Sequence, residues 1–228
     1  ALPPDAGDAG PNPCVVELPP SGQTDILGFE NYGHIVTYAD ARGTPEFKTD
    51  IYYYDLSTMQ EHQVTNRIES QSVPYVYGSE IMFRDTQFWD PQTNPRKVEL
   101  YHYDIIASAE TRLTDDPFSK VYTKFNSDYV LFLSSEGCVN TALTRLTLMS
   151  RQTSEVTLLS ECDQNAETHS IGERYAAWAA RPFPGHNKDI YVRDLQAKYT
   201  FRIESTDFQD QYFPHTDDDH VIWQDGRD

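Results

Sequence analysis

Residues 34–42 read HIVTYADAR and residues 50–58 read DIYYYDLST. In an extended chain Tyr52 and Tyr54 fall on one side and Tyr53 on the other. The first stretch recurs as EIMFRDTQ at 80–87, YVLFLSSEG at 129–137, YAAWAARP at 175–182 and HVIWQDGRD at 220–228. Placing Asp40, Asp85, Ser134, Ala180 and Asp225 in register gives steps of 45, 49, 46 and 45 residues. The second stretch recurs as ELYHYDIIA at 99–107, LTRLTLMSR at 143–151 and DIYVRDLQA at 189–197. Behind each lies a short polar–apolar piece: EHQVTN, ETRLTD, SEVTLLS and YTFRIES. Before the later copies of the first stretch stand SVPYVY, VYTKFN, THSIGE and YFPHTD.

Each unit thus supplies four short strand candidates bounded by Gly, Asn, Asp and Ser. The piece DIIASAETRLT has some helical character alone, but its register with the other copies overrules that. Four antiparallel strands repeated every 45–49 residues describe the blades of a β-propeller, an all-β fold. The in-phase recurrence of a Pro-containing inner strand, an I-V-x-x-x-D segment, a [DE]-I-Y-x-Y-D-L segment and a [LV]-T end resembles the TolB-like propeller repeat, over roughly residues 20–228. Copy three departs most, lacking the Asp-Ile-Tyr start and carrying Cys138. The nearer likeness is to extracellular bacterial versions, with an I-V-W-x-D second strand as at 221–225, and a weaker one is to oligogalacturonate lyases.

Five second strands imply about five four-stranded blades. The piece CVVELPP from Cys14 resembles a final strand, so an N-terminal strand is expected to complete the last blade. Residues 1–13 then form a flexible Pro/Ala/Gly/Asp tether and 14–228 a single propeller domain. A blade left short exposes an edge, which gives self-association as a further expectation.

The balance of 36 Asp+Glu against 18 Lys+Arg, a formal net charge of −18, argues against nucleic acid as partner. Apolar runs are too short for a membrane helix. The opening PDAGDAGP resembles linkers behind the lipidated cysteine of secreted bacterial lipoproteins. The expected setting is therefore exported: periplasm, outer-membrane lipoprotein or bacterial cell surface, with any lipid anchor outside these residues.

Loops after the second and fourth strands share one face and are the longer and more aromatic set. On this face Phe47, Trp89, Arg96, Phe118, Phe183, His186 and Phe208 are candidate binding contacts; alternatively these aromatics seal gaps between blades. Asp115, Asp116, Asp163, Asp207 and Asp210 gather in the blade-connecting loops, where hard oxygen ligands suit calcium; a solvated acidic face is the simpler expectation, with no cofactor. His169 and His215 fall on inner strands near the central channel. Lyases of this repeat hold a metal there, but their three histidines and a glutamine are not reproduced. The recurring Asp55, Asp104 and Asp194 precede tight turns, where an Asp side chain caps backbone N–H groups. Recurrence in several blades argues for architecture there, since a single active site breaks the symmetry. Cys138 and Cys162 lie at two strand ends on one face of one blade, so a disulfide is expected, with two buried free thiols as the alternative.

No G-x-S-x-G, H-E-x-x-H or phosphate-cradling loop occurs. The expected function is an exported, non-catalytic interaction module presenting its loop-rich face to a protein or glycan. The alternative is a carbohydrate-active enzyme, lyase or hydrolase, working at the mouth of the channel.

Overall fold

The computed structural model describes residues 26–42, 48–86, 98–138, 144–162, 164, 166, 168–183, 185–204, 209–217 and 219–226. These form eighteen strands and no helix. Blade one is β1 (Ile26–Tyr32), β2 (Ile35–Asp40), β3 (Asp50–Asp55) and β4 (Gln60–Gln63). Blade two is β5 (Gln71–Tyr77), β6 (Glu80–Asp85), β7 (Glu99–Asp104) and β8 (Ala109–Arg112). Blade three is β9 (Lys120–Phe125), β10 (Tyr129–Ser134), β11 (Arg145–Ser150) and β12 (Val156–Leu158). Blade four is β13 (Thr168–Ile171), β14 (Tyr175–Ala180), β15 (Asp189–Asp194) and β16 (Tyr199–Ile203). The fifth sheet holds β17 (Gln211–Thr216) and β18 (Val221–Asp225). Within each sheet the strands follow chain order and pair antiparallel, as the repeat requires. The expected closing strand from Cys14 lies outside the described residues.

The core consists of seams between successive sheets, and the two-residue strand period decides which seam each side chain enters. Ile81 and Phe83 of β6 pack toward blade one with Ile35, Ile51 and Tyr53, whereas Met82 packs toward blade three with Phe125 and Phe132. Leu131 and Leu133 of β10 meet Ala176 and Trp178 of β14 in the next seam. On the other face of β14, Ala177 and Ala179 receive Val221 and Trp223 of the fifth sheet. Both faces of a middle strand are therefore buried, which is why β10 and β14 read as continuous apolar runs. Each buried Leu, Ile, Phe or Met side chain here contributes about 1.5–3 kcal/mol.

Polar repeats fasten the blade skeleton. The hydroxyl that ends each repeat accepts a backbone N–H from the third strand: Ile51 N to Thr65 Oγ1 at 2.8 Å, Leu100 N to Thr114 Oγ1 at 3.0 Å, and Leu146 N to Ser160 Oγ at 2.8 Å. In blade four Gln211 Oε1 takes this place, accepting Ile190 N at 3.0 Å. The recurring aspartates cap their turns as expected: Asp55 accepts Ser57 N, Asp104 accepts Ile106 N, and Asp194 accepts Gln196 N and Ala197 N. Recurrence marks architecture in these positions.

Cys138 and Cys162 form a disulfide with a Cα–Cα distance of 5.7 Å. It ties the loop after β10 to the segment after β12.

Candidate functional site

The innermost strands β1, β5, β9, β13 and β17 surround a cavity of about 380 Å³ at the centre of the fan. Their ladders define equivalent levels. Glu30, Tyr75, Lys124, Ser170 and His215 pair with Thr37, Met82, Leu131, Ala177 and Ile222, each three residues before the landmark aspartate, serine or alanine of its second strand. Five equivalent positions thus carry five different residues, unlike the turn aspartates and terminal hydroxyls. Glu30, Tyr75, Lys124 and His215 line the cavity, and so does His169 from the neighbouring level. The structure brings His169 and His215 to the same cavity, with His169 Nε2 donating to the Tyr122 carbonyl at 2.5 Å.

Four of the inner strands carry a residue at positive φ: Gly28 at 78°, Val73 at 51°, Tyr122 at 52° and Phe213 at 48°. Each coincides with a bulge, where the register skips a residue against the second strand. Only glycine enters this region without strain, and for Val73 and the two aromatics it costs on the order of 1–3 kcal/mol each. The bulges re-aim the strand, and Val73, Tyr122 and Phe213 all line the cavity. Tyr122 and Phe213 are 57% and 65% exposed, so neither serves as core. Over Thr168–Ile171 the ladder of β13 runs without a shift.

One end of the channel is capped. Tyr77 of blade two donates to Glu173 of blade four, Ser127 of blade three donates to the same carboxylate at 2.8 Å, and Tyr32 of blade one packs its ring on Tyr77 at 4.7 Å. Here Gly172 lies so close to the next blade that a Cβ would stand 2.5 Å from the Asp217 carbonyl oxygen. Arg151 adds a seam contact by pairing with Glu80 at 2.8 Å. The opposite end faces the longer blade-connecting loops.

On that loop face Phe183 and His186 meet edge to face with centroids 5.5 Å apart. They line a hollow of about 450 Å³ with Asp189, Arg202 and Glu204. Phe183 is exposed, whereas Phe118 is half-buried, its carbonyl accepting from Lys120 Nζ at 2.9 Å. Asp115 pairs with Arg112 at 2.5 Å, and Asp116 with Lys120. Asp210 accepts from Tyr212 Oη and Lys188 N at 2.6 Å each, with Arg181 at 3.6 Å. Burial would raise the Asp210 carboxyl, but these partners hold it below its usual value. All three acids already have cationic or hydrogen-bonding partners. Among the described residues no three His, Cys, Asp or Glu side chains converge as metal ligands. Phe47, Trp89, Arg96, Phe208, Asp163 and Asp207 lie outside the described residues.

Sequence reading missed Lys124, Tyr122 and Phe213. The signal available for them was departure from the repeat: their inner-strand positions are occupied differently in each copy.

No family model and no curated protein matches this sequence. Solved structures do. TolB from Acinetobacter baumannii superposes with a TM-score of 0.57 at 17% identity, over 82% of this chain and 46% of that one. A structure from work on two prolyl endopeptidases gives a TM-score of 0.65 at 14% identity, over 87% and 30% of the two chains. An oligogalacturonate lyase in complex with manganese gives 0.56 at 12% identity, over 82% and 55%. The chain spans about half the length of the TolB structures it resembles. The fold is that of a TolB-like β-propeller.

Proposed function

We propose that this domain is a non-catalytic binding module that offers its loop-rich face, and the channel opening behind it, to a protein or glycan partner. The observation carrying this reading is the cavity whose walls abandon the repeat. Positions that recur hold backbone, whereas the channel level Glu30, Tyr75, Lys124, Ser170 and His215 differs blade by blade. The exposed rings of Tyr122 and Phe213, held by strained backbone, supply rigid contact area of the kind that anchors interfaces. At the far end, bonds from Tyr77 and Ser127 to Glu173 tie three blades together around the channel. The disulfide fits an exported setting, periplasmic or at the cell surface, because such bonds persist in oxidising compartments.

A second reading, a carbohydrate-active site at the channel mouth, draws on His169 and His215 lining one cavity and on the similarity to a lyase.

Display on peptide and glycan arrays separates the two. Peptide or glycan capture that falls at least tenfold in the Tyr122→Ala/Phe213→Ala double variant, with unchanged near-ultraviolet dichroism, supports the binding module. Turnover of a polysaccharide by the native protein, with or without added manganese or calcium, overturns it. Capture indifferent to the double variant also overturns it.

A further inference from the structure

Among the described residues, two desolvated cations form no ion pair in a chain that otherwise supplies acidic partners freely: Lys124 on the channel wall and Arg84 on the second strand of blade two. Acidic residues outnumber basic ones two to one, and Arg42, Arg67, Arg112, Lys120 and Arg151 each pair with a carboxylate. Lys124 lines the cavity half-buried, 5.8 Å over the Tyr75 ring, and forms no ion pair among the described residues. Desolvation pushes its ammonium below the usual lysine value, with the Glu30 charge acting against that shift. The Tyr75 phenol is pushed up to about 12 by burial first and by Glu30 second.

Arg84 is the second. It shares the face of β6 that carries Met82, turned toward blade three, where Tyr122 is its electrostatic neighbour. Its Nη2 donates to Ser72 Oγ at 3.3 Å, its Nε is buried without a partner, and among the described residues no carboxylate pairs with it. Desolvation lowers its basicity too. Glu30 acts on Lys124 without forming an ion pair with it, so the half-buried ammonium has no direct partner among the described residues and an anion can complete it.

We propose that the channel is a carboxylate site: Lys124 holds the carboxylate of a ligand whose apolar body lies against Tyr75, Tyr122 and Phe213. This rests on the binding-module reading and names the chemistry that the recess selects. The cavity of about 380 Å³ takes a single small group such as an aromatic acid or the last residues of a polypeptide. Both sources present the same carboxylate beside an apolar body.

Calorimetry on the full chain, with four probes, tests it. These are 3-phenylpropionate, 3-phenylpropanamide, and an acetylated tetrapeptide ending in Phe with a free carboxylate or an amide. The expected result is that at least one acid binds about tenfold or more tightly than its amide. Binding by the peptide acid alone identifies a chain terminus, and binding by both acids a free acid group in general. Lys124→Met keeps the stem and removes the charge; it should abolish the acid preference. Lys124→Arg should retain the preference. Equal binding of acid and amide overturns the carboxylate site while leaving the recess as a binding site. No binding of any probe overturns the carboxylate site, and the array experiment then decides the binding module separately. An acid preference that survives Lys124→Met overturns the assignment to Lys124.

Discussion

Tyr77 and Glu173 stand 96 residues apart, in blades two and four, and the phenol of one donates a hydrogen bond to the carboxylate of the other. The bond joins sheets that are not neighbours, so it exists only when blades two to four have fanned into place. Burial first, then the bond and charge of Glu173, push the Tyr77 phenol well above its usual value. Tyr77→Phe keeps the ring contact with Tyr32 and leaves Glu173 its bond from Ser127. The expected cost is about 1–2 kcal/mol in denaturant melts. Hydrogen exchange should rise near Gly172 and Asn126, whose Nδ2 donates to the Gly172 carbonyl at 2.7 Å. Unchanged exchange at that end would show that the cap does not depend on this bond.

Thr114 tests the repeat's terminal hydroxyl. Its Oγ1 accepts Leu100 N and itself donates to Glu99, in a place that is buried. Thr114→Val is near in shape but leaves a buried N–H and a buried carboxylate each short of a partner. A loss of about 1–3 kcal/mol follows, and Thr114→Ser should recover most of it. Equal stability of the two variants would remove the hydroxyl from the account.

The disulfide spans a separation of 24 residues. On the chain-entropy model, closing a loop of that size stabilises by about 3 kcal/mol. Guanidinium melts with and without reductant should differ by that order, and the Cys138→Ala/Cys162→Ala variant should match the reduced native protein. A reduced midpoint equal to the oxidised one would mean that the bridge adds nothing beyond the packing of blade three.

Acid should loosen the turns. The Asp55 carboxyl lies below its ordinary 3.8 through its Ser57 bond, Asp194 through Ala197 N–H, and Asp217 through Asp219 and His220 N–H. A carboxyl depressed in the folded state contributes stability that is fully present above its unfolded value. That contribution disappears as pH falls through the folded one. The chain should therefore lose stability progressively below about pH 4. In Asp55→Asn/Asp194→Asn, which retains a side-chain oxygen but cannot ionise, the acid limb of melting temperature against pH should be shallower. An identical limb would place the acid sensitivity elsewhere, for example at Glu80 beside Arg151.

The sequence alone determined the sheets. A period near 46 residues, strands alternating every two residues, and Asp at three of the four turns after a third strand left one architecture, and β2 and β3 fall on the very stretches that repeat. It also pointed to the pairing of Cys138 with Cys162, with free thiols as the alternative, and the structure forms the bond because both sit at strand ends on one face of one blade. These features are legible because local hydrogen bonding and side-chain alternation repeat along the chain. What only the tertiary structure decided is the channel. Tyr75, Tyr122, Lys124 and Phe213 come from three sheets, with no common motif and no fixed spacing to one another. Their convergence depends on bulges at Val73, Tyr122 and Phe213 that re-aim the inner strands, a backbone conformation that none of those residue types signals. Repetition builds the frame and is visible in one dimension. A site made where blades meet is specified by what differs between copies, and those differences acquire meaning only when the sheets stand around one axis.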